Sequence, residues 1–280
     1  MTRDQSPQSA LPEMPTVPGG VAAPMGAVNW IGLKTLYLRE VRRFIKVYTQ
    51  TLVAPLVTTL LFLAVFALAL GGDHRTVGDL PFMTFLAPGL IMMAIAQNAF
   101  ANTSSSIVIS KIQGNIVDSL MAPLNAHELV FGFAVGGMTR GVAVAVVVWA
   151  AMALTVDLGL HDLFFVAYHA AMGALMLSLL GLAGGIWADK FDHIAAVTNF
   201  IVTPLSFLSG TFYSVQNLPH AAQVAAHFNP FFYMIDGFRY GFIGHADSDL
   251  WVGVAVMAGI NIGLWALCTW MFKTGYKLKA

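Results

Sequence analysis

Between Ile194 and Ile235 the chain runs for 42 residues without one Asp, Glu, Lys or Arg. A single membrane-crossing helix needs about 20 apolar residues, so this run is twice too long for one span. Pro204, Gly210, Pro219 and Pro230 interrupt it. Proline removes an amide donor, and in hydrocarbon a broken backbone survives only where protein or a water-filled cavity covers its unpaired groups. The stretch therefore predicts one span over 194–213, followed by a short helical hairpin over 214–244 that dips into the membrane.

The remainder has the same character. Of 280 residues, 10% are charged and 58% hydrophobic, whereas a soluble domain carries about 25% charged residues. The chain is an integral membrane protein with no soluble domain. A formal net charge of zero gives no case for nucleic acid as a partner. One cysteine, Cys268, excludes an internal disulfide and a cysteine metal cluster, and the eight histidines contain no H-E-x-x-H pattern, so no metal site is expected. Residues 1–27 are rich in Pro and Gly and lack the apolar core of a signal peptide, which predicts a disordered cytoplasmic tail.

From 30 to 46, WIGLKTLYLREVRRFIK alternates apolar and basic residues at helical spacing, predicting an amphipathic helix on the membrane surface. Six spans follow, at about 48–70, 82–108, 130–155, 163–187, 194–213 and 250–272. The expected fold is all-α and polytopic, one transmembrane domain over 28–280. With a cytoplasmic N-terminus, Arg3, Lys34, Arg39, Arg42, Arg43, Lys46, Lys111, Arg140, Lys190, Lys273, Lys277 and Lys279 lie inside or at the inner edge, and only Arg75 and Arg239 outside. That bias places both termini in the cytoplasm. Glycines four apart, at 132/136, 137/141, 181/185 and 259/263, allow close helix approach without assigning a dimer face.

The connection 110–128, SKIQGNIVDSLMAPLNAHE, is polar yet carries Ile112, Ile116, Val117, Leu120, Met121 and Leu124 near helical spacing. A short half-apolar helix facing the cytoplasm needs either a protein partner or the lipid surface. Asp236 and Arg239, three apart on one predicted helix, are expected to form an ion pair, with contact to a substrate or gate as the other reading. Arg140, well inside the third span, either snorkels to the inner leaflet or lines an inner vestibule.

In three separate blocks the chain resembles the permeases of ABC-2-type transporters. GNIVDSLMAPLNAHELVFG at 114–132 is similar to their cytoplasmic coupling segment, and TPLSFLSGTFYSVQNLP with FNPFFYMIDGFRYGFIG to their fifth-span exit and returning outer hairpin. REVRRFIKVYTQTLVAP at 39–55 and FLAPGLIMM at 85–93 fit the same pattern, closest to the nodulation-factor-exporter-like bacterial subgroup. The departure is at Asp192-His193, where the resemblance implies two acidic residues.

The resemblance implies a half-transporter in the bacterial inner membrane: two permease copies, likened here to a homodimer, with two cytoplasmic ATP-binding subunits. No Gly is followed directly by Lys, so the loop G-x-x-x-x-G-K-[ST] is absent; this chain is no enzyme, and ATP and Mg would be bound by the partner. The coupling residues it implies are Arg39, Glu40, Arg42 and Arg43 on the surface helix and Asn115, Ile116, Asp118, Leu120, Met121 and Pro123 in the connection. The aromatics Phe207, Phe212, Tyr213, Phe231, Phe232 and Tyr233 are expected either to line a substrate path and outer gate or to be ordinary interface residues. The implied activity is export of an amphipathic, lipid-linked, glycolipid- or polysaccharide-like molecule or a hydrophobic drug. An ion-coupled carrier or channel is the rival, weakened by the scarcity of ionisable groups at span centres.

Overall fold

The computed structural model describes residues 28–69, 76–77 and 80–278. The predicted tail at 1–27, Arg75 and Lys279 lie outside the described residues. The first helix, α1 (Trp30–Ile45), starts where the Asn29 side chain accepts from the Gly32 amide, and carries Arg42 and Arg43 at its C-terminal end, where the helix dipole favours cations. Its buried positions, Leu33, Leu36, Glu40 and Phe44, recur every three or four residues, and the main neighbour of α1 is the helix α5 described below.

Two elements share an unusual build. A π-helical turn, Thr49–Val53, leads into α2 (Ala54–Ala69), with Pro55 just beyond it. Far along the chain, α7 (Phe191–Val197) runs through a second π-turn, Thr198–Val202, into α8 (Thr203–Phe207), with Pro204 in the same relative place. Proline has no amide to donate and its ring crowds the carbonyl four residues back, so the preceding turn widens.

The long helices are α3 (Phe82–Ile112), α5 (Ala126–Met152), α6 (Leu163–Trp187) and α11 (Leu250–Thr274). Asn125 and Glu128 close a capping box at the start of α5, Asp162 caps α6, and Asp249 caps α11, which ends at left-handed Gly275. α3 is the hub, with 89% of its apolar window buried and its main contacts to α5 and α6, whereas α2 (11%) and α11 (17%) lie outermost and leave most of their apolar surface uncovered by the chain. A minimal antiparallel bridge, Thr76–Val77 against Leu80–Pro81, is the sole strand pair among the described residues.

Among the described residues, five helices are long and apolar enough to cross a membrane: Thr49–Ala69, Phe82–Ile112, Ala126–Met152, Leu163–Trp187 and Leu250–Thr274. The span expected over 194–213 is instead the composite helix 191–207, which begins earlier and stops sooner. Its 17 residues reach about 25 Å at 1.5 Å per residue, short of a hydrocarbon layer about 30 Å thick. At its end the chain turns at left-handed Gly210 and enters a hairpin of α9 (His220–His227) and α10 (Pro230–Ile243). α10 inserts into the bundle antiparallel to α6: Met234 meets Gly173, Gly237 packs on the His169 ring, and Gly241 sits against Val166. Nearly the whole of α10 is buried, so this arm of the hairpin is a wedge in the core, while α9 stays largely exposed.

Candidate functional site

At the end of the bundle bearing α1, the short helix α4 (Ile116–Met121) connects α3 to α5. The buried Glu40 carboxylate organises this end. Its Oε1 accepts from Arg39 Nη2 (3.3 Å) and Ser106 Oγ (3.0 Å), and its Oε2 accepts from Arg43 Nε (3.3 Å) and Nη2 (3.2 Å). Arg43 reaches on to the Asn102 carbonyl (2.6 Å) and Ser105 Oγ (3.2 Å), fastening α1 to α3. Arg39 donates to Ser119 Oγ (2.9 Å), fastening α1 to α4. Gly136 makes room on α5, since a Cβ there would stand 2.6 Å from Glu40 Cβ. Asn29 Nδ2 donates to the Pro123 carbonyl (3.0 Å), while the Asn29 amide donates to Glu128 Oε1 (2.7 Å). α1, α4 and the adjoining ends of α3 and α5 are thus one hydrogen-bonded body.

Within that body the sequence-predicted residues divide. Ile116 and Ser119 face inward, whereas Asn115, Val117, Asp118 and Met121 are exposed, Met121 at 78%. Leu120 is half-buried beside Leu124. Arg42 is exposed on α1, while Glu40 is wholly committed to internal contacts and presents nothing to a partner. An exposed face of Val117, Asp118 and Met121 on a rigid base can transmit a push to α3 and α5.

At the other end, the expected aromatic path separates into two groups. Phe207, Phe212 and Phe66 of α2 stack in series, with ring centroids 5.2 and 5.1 Å apart, and Tyr213 is half-buried next to them. Phe231, Phe232 and Tyr233 do not line a path: all three are buried core residues of the wedge helix, Phe232 edge-on to His227. The predicted Asp236–Arg239 pair is not a direct salt bridge; the two charges attract each other only at longer range. Asp236 accepts from the amides of Asp247 (2.8 Å) and Ser248 (2.9 Å) and from Ser248 Oγ (2.6 Å), while Arg239 donates to the Gly210 carbonyl (2.6 Å) and lies 3.9 Å from the Phe85 ring centre. Each charge holds a loop of its own, Asp236 the entry to α11 and Arg239 the turn after α8.

A third feature went unseen in the sequence. Between α2, α3 and the 198–203 segment lies a cleft of about 420 Å³ lined by Gln50, Thr58, Thr59, Gln97, Asn98, Thr198 and Thr203 among apolar residues. Both π-turns border it. The available signal was an internal echo, TQTLVAPL at 49–56 and TNFIVTPL at 198–205, which places the same Thr, Val, Pro and Leu on both sides. Arg140 of α5 donates to Asn98 Oδ1 (3.0 Å) from behind.

A bundle of long apolar helices, its first helix clamped to an exposed connecting helix, defines the framework of a multi-pass membrane protein. The sequence profile described as "ABC-2 type transporter" matches residues 32–243. The chain belongs to the ABC-2 type transporter family and is an ABC transporter permease subunit, a class that works with an ATP-binding partner. It is 37% identical over 251 residues to the inner membrane transport permease YadH of Escherichia coli (strain K12), covering 90% of this chain and 98% of the relative. It is 26% identical over 235 residues to Nodulation protein J of Rhizobium leguminosarum bv. trifolii, covering 82% and 87% respectively. These likenesses and the apolar helices make it a multi-pass inner membrane protein.

Proposed function

We propose that two copies of this chain pair and, with two cytoplasmic ATP-binding subunits, export an amphipathic molecule of the lipid-linked, glycolipid, polysaccharide or hydrophobic-drug kind. In this reading six segments cross or enter the membrane, the composite helix 191–207 being the fifth, and both termini are cytoplasmic. The observation that carries it is the Glu40 clamp, which turns the exposed face of α4 into the handle of a rigid lever. Nucleotide-driven closure of the ATP-binding subunits presses on Asp118 and Met121. The clamp passes the displacement to α3 and α5, and the wide turns at 49–53 and 198–202 let α2 and the 191–207 helix change tilt. The outer end opens where Phe66, Phe207 and Phe212 stack beside the wedge helix.

The test is co-purification with the ATP-binding subunit after Asp118→Arg, a charge reversal at an exposed position that leaves the packed face of α4 intact. Loss of the partner with normal membrane insertion is expected. Unchanged association overturns the assignment of α4 as the docking face.

A further inference from the structure

Residues 210–215 join the composite helix to the hairpin and lie across α3, where a Cβ at Gly89 would stand 2.8 Å from the Thr211 carbonyl oxygen. They are fastened at two points. Arg239 holds the Gly210 carbonyl (2.6 Å). The second fastening is Asp247, in the loop between α10 and α11: its Oδ1 accepts from Ser214 Oγ (2.8 Å) and its Oδ2 from the Val215 amide (2.8 Å). The Asp247 side chain is fully buried. So is that of Asp236, which accepts from the Asp247 amide and whose charge opposes that of the Asp247 carboxylate. Two buried carboxylates thus share one buried guanidinium, Arg239. One negative charge is left over, and burying an uncompensated charge is costly.

The balancing cation is His245. Its Nε2 lies 3.2 Å from Asp247 Oδ1, its ring packs edgewise on Phe85 of α3 with centroids 6.2 Å apart, and its side chain is 35% exposed, within reach of a proton. A carboxylate only accepts, so Nε2 carries hydrogen in either charge state and the further proton adds at Nδ1. Imidazole is the side chain that changes charge between about pH 5 and pH 8. We propose that His245 and Asp247 form a proton-operated latch on the 210–215 segment. With His245 charged the cluster is neutral, and Asp247 grips Ser214 and Val215. With His245 neutral the surplus negative charge is relieved when the segment parts from Asp247 and water reaches the carboxylate. The closed latch binds the proton more tightly than the open one, so acid favours closure. The other ionisable neighbours are Asp236 and Arg239 of α10, which offset each other, His161 of the α5–α6 connection, whose ring stands against Gly244 and Tyr240, and Asp249, committed to capping α11. This deepens the export reading by adding a control on its outer end, and rests on it only for which face is outward.

Hydrogen–deuterium exchange of the purified permease in nanodiscs, at about pH 5.5 and about pH 8 and corrected for the intrinsic pH dependence of exchange, reads the latch in the peptide covering 211–218. Protection there should be about tenfold greater in acid, the difference between a charge-assisted and a neutral hydrogen bond, while α5 is unchanged. His245→Gln keeps a donor but cannot charge, and should hold the alkaline level at both pH values. His245→Arg is always charged and should hold the acid level at both. His161→Gln should keep the response of the unaltered chain. Protection indifferent to pH in the unaltered chain, a response that survives in His245→Gln or in His245→Arg, or one lost in folded His161→Gln, overturns the proposal. Both faces of a nanodisc meet the same buffer and no ATPase is present, so this outcome is separate from the orientation of the chain and from the Asp118→Arg experiment.

Discussion

Replacing Glu40 with Gln isolates the clamp, because it keeps side-chain shape and removes the charge that Arg39 and Arg43 share. Breaking a buried ion pair costs about 3–5 kcal/mol when the surviving charge stays buried. Here the Arg39 and Arg43 side chains are 47% and 31% exposed, so water recovers part of their solvation. Gln still accepts from Ser106 and one arginine. A net loss of about 2 kcal/mol in the docking of α1 follows, intermediate between a neutral hydrogen bond and a buried pair. Every 1.4 kcal/mol is a factor of ten, so α1 should open about 30-fold more often. Hydrogen–deuterium exchange in nanodiscs reads this directly as faster exchange of the amides from Leu33 to Ile45. Exchange changed less than twofold would refute the clamp. An increase spread evenly over α6 and α11 would mean global destabilisation instead.

Gly237→Leu and Gly263→Leu form a matched pair. A Cβ at Gly237 would collide with the His169 ring, whereas nothing stands within 4 Å of one at Gly263. The first should lower the thermal midpoint of the protomer through overpacking of about 1–3 kcal/mol, and the second should leave it nearly unchanged; equal shifts would contradict the packing of α10 on α6. At the α1 end, the hydrogen bond from Lys277 (3.0 Å) holds the Asp189 carboxyl below its usual range, with Lys111 assisting at 3.6 Å. A depressed folded-state pKa means the contact is intact above the ordinary carboxylate value of about 3.9 and is lost only as pH falls through the lower folded value. A carboxyl-carbon NMR titration should find the Asp189 midpoint below normal, and Lys277→Met should raise it.

Much of the scaffold was legible because its causes are local. Charge-free windows and the basic face of α1 each act within a turn or two of themselves, as do the caps Asn125, Asp162 and Asp249, which the sequence reading passed over. The glycine pairs at 132/136, 137/141 and 181/185 do sit at close approaches, but the pair at 259/263 faces open space, since spacing alone does not say which face meets a neighbour. The failures involve choices among distant partners. Spacing of three on a helix allows Asp236 and Arg239 to meet, yet Arg239 reaches the buried Gly210 carbonyl and Asp236 reaches the half-buried amides of Asp247 and Ser248, groups that helix spacing does not reveal. Phe231, Phe232 and Tyr233 read as gate aromatics because they flank a chain break, but the break frees α10 to enter the core, and they go with it. The cleft escaped notice because its polar residues come one or two at a time from three separate segments.

The central claim is that the α1–α4 end moves as one body against the rest. Spin labels at Ile31 and Met121, both highly exposed on that body, and at Phe228 on the exposed end of the hairpin, allow two distances to be followed by pulsed electron spin resonance in the complex with its ATP-binding subunit. On trapping ATP, the Ile31–Met121 distance should stay fixed while the Met121–Phe228 distance shifts. A changed Ile31–Met121 distance, or a Met121–Phe228 distance indifferent to nucleotide, would contradict the account.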